Sequence, residues 1–231
     1  MTDNTENIYR GMHCLLQRWR DTVSTKGRRL GWKVGFNLAV DQQRLHLPSA
    51  LIGYLTRDQL LTSGQSYSPP SNSKILVEPE VAIQMACDVP ENVTALQARA
   101  VIARYTAALE LVDTTRSAND NIEAILAGNL FHDSVLLADT GISPADYSRD
   151  ALTVSLSLNG REMRTLEQER VPQDFSPLVV TIANILATHG EQLRQGDWII
   201  TGAASKAIPV QQGDVVTLDM GTLGRLSLTI A

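Results

Sequence analysis

The stretch Ile75-Leu76-Val77-Glu78-Pro79-Glu80-Val81-Ala82-Ile83-Gln84-Met85 sets two carboxylates two positions apart in an otherwise apolar run. Alternate side chains of a strand share a face, so Glu78, Glu80 and Gln84 go one way and Val77, Val81, Ile83 and Met85 the other. The two Cβ atoms would then lie roughly 7 Å apart, close enough for both carboxylates to lean on one cation with oxygens about 2.0–2.6 Å from it. A third acid fits the same picture, because Ala107-Ala108-Leu109-Glu110-Leu111-Val112 is an apolar strand interrupted by a single glutamate. Three buried carboxylates repel one another and rise toward protonation unless a cation compensates them. An all-oxygen set suits a hard divalent ion, Mg2+ or Mn2+. The same spacing also describes the wet face of an edge strand, with Pro79 marking that edge.

Lys33 sits in Gly31-Trp32-Lys33-Val34-Gly35-Phe36, among apolar residues and glycines. Burying a lysine is costly unless it meets an anion, which a carboxylate substrate or metal-bound oxygens would supply. Its stem could equally snorkel to water. Thr201-Gly202 ends the apolar run Trp198-Ile199-Ile200. A hydroxyl and a bare backbone there could contact a small anion, or simply form the turn that ends a strand. His13, His46, His132 and His189 show no metal-ligand spacing and none is assigned as a ligand. His132-Asp133-Ser134 holds the residue types of a hydrolase triad, but neighbours in sequence do not form that geometry.

These residues need elements to position them. Ile8, Met12, Leu15, Leu16, Trp19 and Val23 form one helical stripe, so the chain opens with an amphipathic helix. A short strand over 30–36 carries Lys33. Residues 74–86 read as a strand and 94–108 as a helix opened by a Thr94/Gln97 capping box, with a short strand at 109–113. Ser117 caps a helix that stops at Gly128, and 134–138 is an apolar strand. Alternation over 152–158 leading into Asn159-Gly160 signals a hairpin. Ser176-Pro177 starts a helix that Gly190 ends, and the tail after residue 197 is strand-rich. Strands and helices mix without regular βαβ alternation, which favours an antiparallel or mixed sheet with a few helices. The loop-like segment 63–73 divides the chain into an N-terminal helical lobe with the lysine-bearing strand (1–62) and a metal-binding, β-rich catalytic core (74–231).

Composition narrows the function. The 231 residues are 43% hydrophobic and 19% charged, ordinary for a globular protein and unlike a disordered chain. With 20 basic against 25 acidic residues the net charge is −5, which leaves little for nucleic-acid binding. The longest apolar runs fall far short of the ~20 residues of a membrane helix, and the polar, acidic start lacks the pattern of a secretion signal. A cytoplasmic protein is expected, with no nucleic acid or membrane as partner. Cys14 and Cys87 stand far apart, which disfavours a disulfide framework or structural zinc. No Gly-x-Gly-x-x-Gly or P-loop supports a nucleotide cofactor.

Together, Gly31-Trp32-Lys33-Val34-Gly35, Glu78-Pro79-Glu80-Val81-Ala82, Ala108-Leu109-Glu110-Leu111-Val112 and Gly196-Asp197-Trp198-Ile199-Ile200-Thr201-Gly202 followed by Gly213-Asp214 resemble the fumarylacetoacetate hydrolase superfamily. Within it the similarity is to the 2-keto-4-pentenoate hydratase and 4-oxalocrotonate decarboxylase group. The resemblance implies an α+β fold, a mixed β-sandwich or β-roll core with peripheral helices. It implies Mg2+ or Mn2+ on Glu78, Glu80 and Glu110, Lys33 in the substrate pocket, and Thr201-Gly202 near the 2-keto carboxylate. Asn129 falls where the group carries an Asp-Asn-Ala segment and is expected beside the substrate. The implied activity is that of a metal-dependent lyase, hydratase or decarboxylase, working through the enolate of a small 2-keto acid, with Lys33 as the electrostatic or proton-donating group.

Two places depart from the group. Its glycine-rich stretch before the late helix is here Thr165-Leu166-Glu167-Gln168-Glu169-Arg170-Val171-Pro172, and a serine after the Asp-Asn-Ala segment is replaced by Phe131. Both would border the substrate. A C–C hydrolase or keto–enol tautomerase of a diketo acid is the alternative chemistry, but residues 36–46 lack the adjacent His and Glu that would activate water. A non-catalytic homologue that stabilises a partner in a complex is the other alternative. Symmetric self-association into a homo-oligomer is the general expectation.

Overall fold

Residues 4–26, 28–116 and 121–231 are described by a computed structural model. In chain order they form α1 (Thr5–Lys26), β1 (Arg29–Gly35), α2 (Ala39–Arg44), β2 (Leu51–Thr56), β3 (Leu60–Leu61), β4 (Ser66–Tyr67) and β5 (Ile75–Met85). After these come α3 (Ala95–Ala100), β6 (Ile102–Asp113), α4 (Ile122–Ala127), β7 (His132–Leu137), β8 (Ser155–Leu158) and β9 (Arg161–Thr165). The chain closes with α5 (Ser176–Thr188), β10 (Trp198–Ala203), β11 (Ile208–Pro209), β12 (Val215–Asp219) and β13 (Arg225–Ile230).

Among the described residues, the strands build two mixed sheets. The larger runs β2-β1-β10-β5-β6-β7-β3, with β11 also paired to β5, and the smaller runs β4-β13-β12-β8-β9. Leu156, Val216, Leu218, Leu226 and Leu228 of the smaller sheet join one hydrophobic core with Val77, Val81, Ile83, Leu109 and Leu111 of the larger. α1 adds Met12, Leu15, Leu16 and Trp19 to that core, the stripe its periodicity predicts. Its Gly11 lies so close to α4 that a Cβ there would meet Leu126 at 2.7 Å. The expected α+β sandwich with peripheral helices is what the chain forms.

The opposite face of the larger sheet carries a second, smaller cluster of Ala82, Ala108, Val135 and Ile200. These residues share strand parity with Glu78, Glu80, Glu110 and Lys33, so one face of the sheet is core and the other holds the chemistry.

Three sequence expectations shift. The helix expected over 94–108 keeps its capping box at Thr94 and Gln97 but ends at Ala100, and the chain then runs as a 12-residue strand. Residues 102–113 pair with β5 along its full length, and Tyr105–Asp113 are buried continuously. A strand buried on both faces loses its alternation, so Ala-rich residues there read as helix. Second, the start of α4 falls at Asn121, whose side chain accepts from the amides of Glu123 and Ala124; Ser117 lies outside the described residues. Third, the lobe 1–62 is not separate from the core 74–231. β1 lies between β2 and β10 in the sheet that contains β5 and β6, so the lysine strand and the acidic strands are one structure.

Candidate metal and substrate site

Strand register brings the three glutamates together. Glu78 lies directly opposite Glu110 in the antiparallel β5–β6 pair, and Glu80 is two residues further along the same face of β5. One carboxylate oxygen from each of the three lies within 4.8 Å of the others. Glu80 and Glu110 are buried and Glu78 is half-buried. Glu80 Oε2 accepts the amide of Gly202 at 2.6 Å, whereas its Oε1 is buried with no hydrogen-bond partner. Burial and the neighbouring Glu110 carboxylate push Glu78 up to about 7. The same two causes, with Glu78 added, raise Glu80 well above the usual carboxylate range.

Glu110 behaves differently because two donors meet it. Its Oε1 lies 2.5 Å from Lys33 Nζ and 2.6 Å from His132 Nδ1. Burial works against its ionisation, but Lys33 and His132 prevail and hold it below the ordinary range. Lys33, 3% exposed, donates a second hydrogen bond to the Leu130 carbonyl at 3.0 Å. Burial lowers the pKa of His132, and the ring meets the Glu110 carboxylate through Nδ1. Its Nε2 is buried without a partner.

Sequence reasoning missed His132. Val135 is opposite Glu110, and regular alternation would put His132 on the other face of β7. A register shift between Leu111 and Val112 reverses that parity. A histidine opening an apolar strand was the available signal; the bulge that aims it was not visible.

The turn ahead of β7 is strained. Asn129, Leu130 and Phe131 have φ of 58°, 51° and 63°, three successive non-glycine residues in the left-handed region. Asn129 stabilises the turn by bonding both ways to Tyr54, its Oδ1 accepting the Tyr54 amide at 2.8 Å and its Nδ2 donating to the Tyr54 carbonyl at 2.9 Å. This amide is therefore used on backbone, and Asn129 lines a separate cleft with Arg18, Gln59 and Arg116. The expected substrate contact is replaced by support for the Leu130 carbonyl that holds Lys33.

Thr201 and Gly202 divide their tasks. The Thr201 hydroxyl donates to the Val81 carbonyl at 2.9 Å and so ties β10 to β5. Gly202 has φ +95°, and a Cβ on it would meet the Asn37 side chain at 2.6 Å. That conformation and close approach are open to glycine, and they aim its amide at Glu80.

A cavity of about 290 Å3 opens over the cluster, with Lys33, Glu78, Glu110 and Gly202 in its lining. Its walls are apolar, with Phe36, Leu38, Leu76, Val112, Leu130 and Phe131, and Asn37, Asp41, Thr114 and Arg170 add polar groups. Arg170 reaches the cavity from the 165–172 stretch, which the sequence places beside the substrate without singling out this residue. Three converging carboxylates, two of them driven toward protonation and one with an orphaned buried oxygen, fit a hard divalent cation on Glu78, Glu80 and Glu110. Beside it there is room for a small, partly apolar acid.

Known proteins resemble this chain over most of its length. The family described as fumarylacetoacetate (FAA) hydrolase C-terminal matches residues 27–231. A 4-oxalocrotonate decarboxylase from a Pseudomonas species is 25% identical over 208 residues, covering 90% of this chain and 80% of the relative. A 2-keto-4-pentenoate hydratase from Paraburkholderia xenovorans is 26% identical over 205 residues, covering 87% and 76%. Among solved structures, 4-oxalocrotonate decarboxylase from Pseudomonas putida G7, complexed with magnesium and adipate, superposes with a TM-score of 0.88 at 18% identity, covering 100% of this chain and 90% of that one. The chain belongs to the fumarylacetoacetate hydrolase C-terminal family.

Proposed function

We propose that this chain is a divalent-metal-dependent lyase that acts on a small 2-keto acid, or its 2-hydroxydienoic form, through the enolate, as a hydratase or decarboxylase. The observation that carries the reading is the convergence of Glu78, Glu80 and Glu110 within reach of one ion, with Glu78, Glu110 and Lys33 in the lining of one cavity. The names of the decarboxylase and hydratase relatives support it, as does the magnesium and dicarboxylate in the structural neighbour.

A divalent ion on the three glutamates would supply Lewis acidity toward a 2-keto acid. The protein's own groups do the rest. Gly202 fixes Glu80 through its amide, and Lys33 with His132 fixes Glu110, so two of the three carboxylates are held in place before any ligand arrives. Lys33 brings a positive charge with transferable protons to the cavity floor, where an enolate oxygen or carbon can receive one. The walls from Phe36, Leu38, Leu76 and Phe131 limit water around that floor and strengthen its electrostatics. In decarboxylation the bond to the departing carboxylate breaks, its electron pair enters the conjugated keto system, carbon dioxide leaves and a proton adds to carbon. In hydration, water adds its hydroxyl and a proton across the conjugated double bond.

The test is absorbance-monitored turnover of 2-hydroxypenta-2,4-dienoate and of 2-oxohex-3-enedioate with Mg2+ or Mn2+. Metal-dependent loss of one substrate is expected, and Glu80→Ala abolishes it. A metal-loaded protein that consumes neither acid overturns the reading.

A further inference from the structure

The 3₁₀ turn Gln168–Arg170 brings an arginine to the same cavity as the glutamates. Glu167 anchors this turn from three directions. Its amide donates to the Ala204 carbonyl at 3.0 Å, its Oε1 accepts the Lys206 amide at 2.9 Å, and its Oε2 accepts Arg170 Nε at 2.6 Å. Burial opposes its charge, yet the Lys206 amide and Arg170 hold Glu167 below the usual carboxylate range. The anchor is therefore ionised and keeps one edge of the guanidinium fixed.

The rest of that guanidinium is unengaged. The Arg170 side chain is 20% exposed, and among the described residues its two Nη groups make no hydrogen bond. Arginine's planar fork matches a carboxylate with two parallel bonds, and here the fork lines a cavity that holds, besides the acids Glu78, Glu110 and Asp41, the apolar Phe36, Leu38, Leu76 and Phe131. The positive charge is also near enough to the cluster to act on Glu78. With the keto end of a 2-keto acid at the glutamates, the rest of the molecule runs along a lining that includes Phe36, Leu38, Phe131 and Arg170. An apolar tail would leave the fork to water, whereas a second carboxylate would pair with it.

We propose that Arg170, held by Glu167, is the specificity-determining residue of the site and selects 2-keto acids that carry a second carboxylate at the far end. The proposal rests on the function given above, in which the keto end occupies the glutamate cluster.

Calorimetric binding to the manganese-loaded protein tests it with two matched pairs, 2-oxoadipate against 2-oxohexanoate and 2-oxoglutarate against 2-oxopentanoate. In at least one pair the dicarboxylate is expected to bind about 10- to 100-fold tighter, the range of a charge-assisted hydrogen-bonded pair. Arg170→Gln lowers dicarboxylate affinity by about 10-fold or more and monocarboxylate affinity by much less, with manganese binding and the melting temperature reporting an intact fold, and Arg170→Lys, with charge but no fork, keeps part of the preference. The proposal is overturned by equal binding within both pairs, by a preference that survives Arg170→Gln, or by a variant that loses both members alike. That last result would place the guanidinium on the shared keto-acid end. Binding of none of the four acids would overturn the functional reading as well, an outcome distinct from equal binding.

Discussion

At the scale of single residues, Lys33 carries the charge balance of the site. It meets Glu110 at 2.5 Å where both are buried, and removing one partner of such a pair costs roughly 3–5 kcal/mol because the other charge stays behind. Lys33→Met should therefore lower the stability of the metal-free protein by about 3 kcal/mol in denaturant unfolding. The glutamates remain, so manganese should still bind while turnover falls by at least about 100-fold. Wild-type turnover in this variant would remove Lys33 from the chemistry. Glu78 makes a pH prediction. With a folded pKa of about 7 against an ordinary 4.5, the native state holds its proton more tightly than the unfolded chain. Stability from this group is present at low pH and is lost as pH rises from about 4.5 through 7. The loss is on the order of 2–3 kcal/mol. Metal-free wild type compared with Glu78→Gln should show this difference in melting experiments between pH 5 and pH 8, and parallel pH profiles would contradict it.

Among the elements, the contact between the β10 end and β5 is the most exposed to test. Gly202→Ala must place a Cβ 2.6 Å from Asn37 at a φ of +95°. The expected cost is about 1–3 kcal/mol. Its displaced amide should release Glu80 and weaken divalent-ion binding by roughly tenfold, as the lost charge-assisted hydrogen bond implies. Calorimetry and denaturant unfolding read both effects, and an alanine variant equal to wild type in each would show that the amide does not position the carboxylate. The acidic strand was legible from sequence because β5 has one core face and one site face, so Glu78 and Glu80 stand out by alternation. Glu110 was legible as an acid with no reason to be in an apolar run. Its strand was half misread, since continuous burial on both faces removes the period-two signal. His132 and the left-handed Asn129–Phe131 turn were not legible, and Arg170 was legible only as one of a stretch expected beside the substrate. A bulge, a strained turn held by Tyr54 and the tie of Glu167 to Ala204 and Lys206 each depend on contacts distant in sequence.

On the scale of the whole molecule, the site is assembled from both ends of the chain. β1 and β10 run parallel as neighbours, with Lys33 in register with Ile200, and β10 pairs in turn with β5. The lysine, the acids and the glycine amide therefore share one sheet face only when the complete sheet has formed, which is why a division at 63–73 separates nothing structurally. Among the described residues no helix is long and apolar enough to cross a membrane. The central claim, that this sheet face holds one divalent ion on Glu78, Glu80 and Glu110, is most directly tested by manganese titration of the metal-free chain, followed by calorimetry and electron paramagnetic resonance. One ion per chain is predicted, with affinity at least about 100-fold weaker in Glu80→Gln, because a neutral amide replaces a carboxylate ligand of a hard cation. Absence of manganese binding, or binding unchanged by that substitution, would contradict it.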